Sequence, residues 1–162
     1  MTGSDDIIDD RTLGIRIMKL SRVLRLRFDR RAAGVGLTSA QWRTIASVRR
    51  FPGATQREIA ALLEVGEVTV GRSIDKLVEA GWLERRADPA DRRAYRIHLT
   101  DAIGPVTGAL TRLGIEEEAV ALAGFSAEEH ATLLAMLERI AANLGGDIDP
   151  ASATCAAGGG DA

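Results

Sequence analysis

Polar and cationic side chains share one face of a helix predicted over residues 67–80. At 100° per residue this face is opposite the apolar positions and holds Thr69, Arg72, Ser73 and Lys76. An arginine there can bond O6 and N7 of guanine, a hydroxyl can donate to or accept from base edges, and a lysine can reach a phosphate. Taken alone, however, the pattern is more typical of an ordinary amphipathic helix with a solvated polar face.

A basic hairpin is predicted directly after this helix. Residues 82–86 and 94–99 form two short strands, and alternation in the second directs Tyr95, Ile97 and Leu99 inward. The hairpin contains five arginines, Arg85, Arg86, Arg92, Arg93 and Arg96, and Asp91 lies at its tip; of these, Arg85, Arg86, Asp91, Arg92 and Arg93 are the candidate DNA-binding residues. Arginine at a hairpin tip suits the narrow, electronegative minor groove of A·T-rich DNA. Asp91 is expected to pair with a neighbouring arginine and hold the tip in shape. The hairpin therefore favours DNA binding.

Local signals divide the preceding segment into short helices. Thr38 followed by Gln41, and Thr55 followed by Glu58, are capping-box pairs that predict two helix starts. A turn at residues 65–66 leads into the helix over 67–80. Two helices joined by a tight turn indicate a helix-turn-helix.

Long amphipathic helices are predicted at both ends of the chain. Their apolar stripes are Leu13, Ile17, Leu20, Leu24 and Phe28, and Leu133, Leu137, Ile140 and Leu144. Ser126 and Glu129 form a third capping box, and Thr100 is expected to cap the helix that follows the hairpin. Residues 146–162, rich in Gly, Ala, Ser and Asp, are expected to be disordered.

Charge is distributed unevenly along the 162 residues. Residues 1–100 carry 19 Lys and Arg against 13 Asp and Glu, whereas residues 101–162 carry 2 against 10, which gives the net charge of −2. An acidic whole does not exclude a nucleic-acid partner, because phosphate binding depends on local basic clusters. The acidic N-terminus has no apolar signal core, and no run reaches the roughly 18 apolar residues of a membrane span, so a cytoplasmic location is expected.

Residues for catalysis or metal binding are sparse. The single Cys155 excludes a disulfide framework and a cysteine-rich zinc site, and His98 and His130 are widely separated. The sequence has no glycine-rich phosphate loop and no nucleophile beside an evident base. We therefore expect no enzyme activity, no cofactor and no metal.

Four ordered motifs resemble the MarR family (multiple antibiotic resistance regulators) and, within it, the SlyA-like branch. They are GLTSAQW at residues 36–42, PGATQREIAALL at 52–63, VTVGRSIDKLVEAGWLERR at 68–86 and DPADRRAYRIHLT at 88–100. The last is the most specific, because Asp-x-Arg followed by alternating apolar residues and Leu-Thr is the wing signature of this family. With the flanking helices, the resemblance covers about 140 residues.

The resemblance implies a homodimer with interleaved terminal helices, and hence an inverted-repeat operator with half-sites about 34–36 Å apart. By position, Arg72 and Thr69 match base-contacting residues, and Val68 lies beside them. Arg93 matches the arginine that enters the minor groove and Asp91 its orienting partner. Gln56, next to Thr55, matches a residue that contacts the DNA backbone at the start of the helix-turn-helix. Many relatives also release DNA on binding small anionic phenolic compounds, so an aromatic or anionic effector is implied.

The predicted fold is mainly α, with a winged helix-turn-helix and a helical dimerisation layer. Residues 1–36 are assigned to an N-terminal dimerisation helix, 37–100 to the DNA-binding domain, 101–145 to C-terminal dimerisation helices and 146–162 to the tail. The predicted function is a homodimeric transcriptional regulator, acting as a repressor on a palindromic operator. The alternative is a winged-helix protein-interaction module without DNA binding, which the cationic helix face and wing disfavour.

Overall fold

The computed structural model describes residues 12–91, 93–146 and 148. In this part of the chain, helices surround one small antiparallel sheet, which confirms the mainly α fold. The elements are α1 (Leu13–Gly34), α2 (Ser39–Arg50), α3 (Gln56–Leu63), α4 (Glu67–Glu79), β1 (Leu83–Ala87), β2 (Tyr95–Leu99), a 3₁₀ turn (Asp101–Ile103), α5 (Gly104–Ala121) and α6 (Ala127–Asn143). The predicted disordered tail and Cys155 lie outside the described residues, apart from positions 146 and 148.

All three predicted capping boxes are present, at the starts of α2, α3 and α6. In each box, the hydroxyl of the N-cap residue accepts a hydrogen bond from the backbone N–H of the residue three positions later. The side chain of that later residue accepts a bond from the backbone N–H of the N-cap residue. Thr100 does occupy an N-cap position, but its hydroxyl donates to the Gly81 carbonyl at 2.6 Å and makes no capping bond. The chain instead makes a 3₁₀ turn, and α5 begins with Pro105 in its first turn, where a missing N–H costs nothing.

The core lies where α2, α3, α4 and the sheet meet. Its fully buried side chains include Ile45, Ile59, Ile74, Leu77 and Ile97, one or two from each element. They occupy the apolar faces that the helical and strand periods predicted. This packing fixes α4 by its inner face and leaves its outer face to solvent.

The connection from α3 to α4 is three residues long. Glu64 ends α3 in the left-handed conformation, with φ of 53°, and Gly66 precedes α4. Such a φ is unfavourable for a residue with a Cβ, so the turn holds Glu64 in a strained backbone state.

The hairpin pairs β1 with β2 from Leu83↔Leu99 to Ala87↔Tyr95. Tyr95 is 53% exposed, so it is not buried with Ile97 as its predicted inward position required. A two-stranded sheet covers the core only at its base, and Tyr95 lies at the far end. The base is also bonded to the α2–α3 loop, because Ile97 N–H donates to the Ala54 carbonyl at 3.1 Å.

The terminal helices bury little of their apolar surface within the chain. Leu13, Leu20 and Leu24 of α1 are 55%, 58% and 43% exposed, and Met136 of α6 is 50% exposed. Among the described residues, none of those in α6 is buried. None of the described helices is long and apolar enough to cross a membrane.

An ion-pair cluster joins α1 to α5. Arg27 donates to Glu117 at 2.7 Å, and Arg31 donates to Glu117 at 3.0 Å and also pairs with Glu116. Hydrogen bonds from these two guanidinium groups hold the pKa of the nearly buried Glu117 carboxyl below its usual range, and the bond from Arg27 has the larger effect. Between α1 and α2, Trp42 donates its indole N–H to Asp29 at 2.8 Å.

Candidate nucleic-acid interface

The outer face of α4 carries most of the predicted helix residues. Thr69, Arg72 and Lys76 are exposed, and Val68 is 70% exposed in the first turn of the helix. Within residues 12–91, 93–146 and 148, Arg72 and Lys76 make no ion pair with a carboxylate. Their charges are therefore available to a ligand without first breaking a contact.

Ser73 does not lie on this face, and its predicted placement is wrong. It is 4% exposed, and its hydroxyl lies 3.1 Å from that of the buried Thr44 on α2. Ser73 lies at the edge of the inner face, next to position 77 and across from α2, so its polarity misled the prediction. It joins α4 to α2 and takes no place in the interface.

The start of α3 lies beside the start of α4. The Thr55 hydroxyl is already engaged in its capping box with Glu58. Gln56 turns its side chain toward α4, where Nε2 donates to the Glu67 carbonyl at 3.1 Å. The amide that was predicted to bind DNA is thus bonded to the neighbouring helix.

The wing tip is held by two aspartates. Asp91 Oδ1 accepts the backbone N–H of Arg93 at 2.9 Å, so Asp91 braces the tip through the main chain, and among the described arginines none pairs with it through its side chain. Asp88 Oδ1 accepts the N–H of Ala90 at 2.8 Å. Arg93 is exposed and makes no ion pair with the carboxylates of the described residues. Arg92 lies outside the described residues.

Carboxylates accompany the strand arginines. Arg85 donates to Asp75 of α4 at 2.6 Å, and Arg86 pairs with Glu84. Exposed pairs of this kind contribute only about 0–1 kcal/mol, so a phosphate can displace them at low cost. The Arg85–Asp75 pair also joins the wing to α4.

Asp88 and Arg96 form a partly buried ion pair that sequence reasoning missed. Asp88 is 6% exposed and accepts from Arg96 at 2.8 Å, while Arg96 also donates to the Gly53 carbonyl at 3.1 Å. The Ala90 N–H, together with the Arg96 charge, holds the pKa of Asp88 below its ordinary value. The pair fastens the wing to the α2–α3 loop. No local signal separates these residues from solvated charges.

A single cleft brings the predicted wing and α3 residues together. It has a volume of 480 Å³, and its lining includes Thr55, Gln56, Arg85, Asp91 and Arg93. Side chains from three separate sequence segments thus converge beside the first turn of α4. The described residues contain no group of three His, Cys, Asp or Glu side chains that could hold a metal.

A helix-turn-helix whose second helix exposes a cationic face, followed by a braced hairpin, defines a winged helix-turn-helix protein. The sequence profile of the MarR family matches residues 35–94. The crystal structure of transcriptional regulator PA3341 is 31% identical, aligns over 82% of this chain and 98% of that chain, and has a TM-score of 0.70.

Two structures of MarR from E. coli are also similar. The wild-type apo form is 25% identical over 82% of this chain and 98% of that chain, with a TM-score of 0.73. A mutant complexed with operator DNA is 25% identical over 85% and 99%, with a TM-score of 0.67. The chain belongs to the MarR family. Its placement in the SlyA-like branch stays a prediction.

Proposed function

We propose that the protein is a homodimeric, sequence-specific DNA-binding regulator that represses transcription from an inverted-repeat operator. One observation carries this proposal: on the outer face of α4, Arg72 and Lys76 are exposed and form no ion pair within the described part of the chain, and this face lies beside a wing whose tip presents Arg93 on a braced backbone. A protein-interaction winged helix has no need for unpaired cations at both places.

The proposal divides the contacts among the residues. Arg72 bonds guanine in the major groove, Thr69 and Val68 contact neighbouring base edges, and Lys76 reaches a phosphate. Arg93 enters the minor groove. The remaining backbone contacts come from Thr55, Arg85, Arg86 and Arg92. Ser73 is left out because it is buried.

The terminal helices are proposed to form the dimer. Exposed leucines on α1 and the lack of any buried residue on α6 leave apolar surface that a second copy would cover. Residues 1–36 and 101–145 would then make the dimer layer, with residues 37–100 binding DNA. Leu137→Glu places a charge on the α6 stripe and is expected to yield monomers in analytical ultracentrifugation. Glu138→Ala, an exposed neighbour off that stripe, should leave the dimer intact.

A cavity supports release by a small effector. It has a volume of 630 Å³, lies between α1, α2 and α5, and is lined by Trp42, Arg49, Arg50 and Leu110 among others. An aromatic ring with nearby arginines suits a small aromatic anion. Salicylate is the probe: it should lower operator affinity in the wild type and have less effect on Arg49→Ala.

The DNA-binding proposal is tested by operator titration at fixed salt. Arg72→Ala is expected to lose about 1–3 kcal/mol of binding free energy and to relax preference at one base pair. Arg93→Ala should lose most on sites with A·T-rich flanks. Arg112→Ala, which removes the same charge from α5, is the matched control and should bind like the wild type.

A salt titration on random duplex DNA separates the proposal from its alternative. A DNA-binding protein must show a steep negative slope of log K against log salt, because it releases counterions from the phosphates. A flat slope would instead indicate a winged helix that binds protein partners.

A further inference from the structure

We propose that Gln56 is a positioning residue that fixes the first turn of α4. We propose also that the Gln56 side chain can occupy this position only because residue 71 is a glycine. This inference rests on the proposed DNA binding for its effect on affinity. It replaces the phosphate contact that the resemblance implied for Gln56 with an indirect role through α4.

The contacts on both sides of the Gln56 amide support this role. Nε2 donates to the carbonyl of Glu67, the first residue of α4, at 3.1 Å. In an α-helix that carbonyl also accepts the N–H four residues later, which is the N–H of Gly71. The side chain therefore binds α4 in its first turn, at the carbonyl next to that of Gly66, which accepts the N–H of Val70 at 3.3 Å.

Gly71 leaves room for the same amide. A Cβ built on Gly71 would lie 2.9 Å from Gln56 Nε2, 3.3 Å from Cδ and 3.4 Å from Oε1. The conflict is with the end of a flexible side chain, so Gly71→Ala would displace Gln56 rather than the backbone. Glycine in a helix interior lowers stability by about 0.5–1 kcal/mol relative to alanine. The room that it leaves for the Gln56 side chain explains why a glycine occupies this position.

The start of α4 has few other restraints. Its N-cap, Gly66, provides no side-chain hydrogen bond, and the preceding turn contains the strained Glu64. Val68 and Thr69 lie in the turn that Gln56 holds. Loss of the Gln56 contact would therefore shift the residues proposed to meet base edges while the buried part of α4 stays in place.

The test is a cycle of four proteins: wild type, Gly71→Ala, Gln56→Ala and the double variant. We expect Gly71→Ala to lower operator affinity about tenfold, within the range of couplings between contacting residues, with little change on random duplex. In the Gln56→Ala background the same substitution should change affinity less than twofold, and the melting temperature should stay equal or rise. Gly108→Ala in α5, where the nearest contact of a new Cβ is an ordinary 3.8 Å, is the control.

Hydrogen exchange on the free protein gives a readout that needs no DNA. Amides in the first two turns of α4 should exchange faster in Gly71→Ala and in Gln56→Ala, by similar factors, and the double variant should add nothing further. If the wild type bound no duplex, the proposed function would fail while this measurement still decided the role of Gln56.

Three results would overturn the inference. Gly71→Ala could be as harmless with Gln56 present as without it. It could be equally harmful in both backgrounds, which would mean that Gly71 itself faces DNA. Gln56→Ala could weaken operator and random duplex alike without changing exchange in α4, which would restore the direct phosphate contact.

Discussion

The buried pair between Ser73 and Thr44 yields a prediction that separates folding from DNA binding. The two hydroxyls lie 3.1 Å apart, and Thr44 Oγ1 also lies 2.7 Å from the Ala40 carbonyl. Thr44 has one hydroxyl hydrogen, so when it donates to Ala40, Ser73 donates to Thr44. Ser73→Ala removes that bond and leaves the Thr44 donor satisfied.

The expected loss in the free energy of unfolding follows from this geometry. One neutral hydrogen bond contributes about 1 kcal/mol, which corresponds to a fall of roughly 2–4 °C in melting temperature for a chain of this size. Thr44→Val should cost more, about 1–3 kcal/mol, because the Ser73 hydroxyl would stay buried without that partner. Operator affinity of folded Ser73→Ala should remain within about twofold of wild type, since a buried hydroxyl contacts no base.

Urea denaturation and fluorescence anisotropy with a labelled operator measure the two quantities. Arg72→Ala, one position earlier, is the matched comparison: stability should hold and affinity should fall. A Ser73→Ala protein of unchanged stability with a tenfold loss of operator affinity would refute the reasoning and return Ser73 to the interface.

Three further predictions concern other parts of the molecule. Glu64→Gly should raise the free energy of unfolding by about 0.5–1 kcal/mol in urea denaturation, because glycine adopts positive φ without strain; an unchanged midpoint would contradict this. Since the pKa of Glu117 is lowered in the fold, its ion pairs stabilise the protein above the ordinary glutamate pKa of 4.5 and are lost as pH falls below it. Glu117→Gln should therefore flatten the loss of stability with acid, measured by melting at pH 3–6, whereas an unaltered profile would place that loss elsewhere. Val68, 70% exposed on α4, is expected to contact a thymine methyl, so replacing the contacted thymine with uracil should weaken wild type but not Val68→Ala.

Local signals predicted the helix boundaries well. A capping box needs only residues three apart, so the helix starts after Thr38, Thr55 and Ser126 could be identified from the sequence. Thr100 lacks the Glu or Gln of a capping box at the third position, and its hydroxyl bonds to Gly81, nineteen residues earlier. That contact depends on how the strands meet and leaves no trace in the neighbouring sequence.

The candidate interface was predictable only where exposure follows from the helical period. Arg72 and Lys76 lie opposite the core positions, but Ser73 lies at the border, where polarity and burial compete. Pairs between residues far apart in the sequence could not be predicted, because, like the Thr100 contact, they depend on how distant segments meet in the fold. Asp88 and Arg96 form an ion pair that joins the two segments only when the hairpin packs against the α2–α3 loop.

The most direct test of the proposed function is selection of DNA by the purified protein from a random duplex pool. We expect enrichment of an inverted repeat whose half-site centres lie about one helical turn, 10–10.5 base pairs, apart, as two α4 helices related by a two-fold axis require. The selected site should contain a guanine in each half whose preference is lost in Arg72→Ala. A pool that stays unenriched, or that converges on sites without dyad symmetry, would contradict a dimeric regulator that reads its operator with α4.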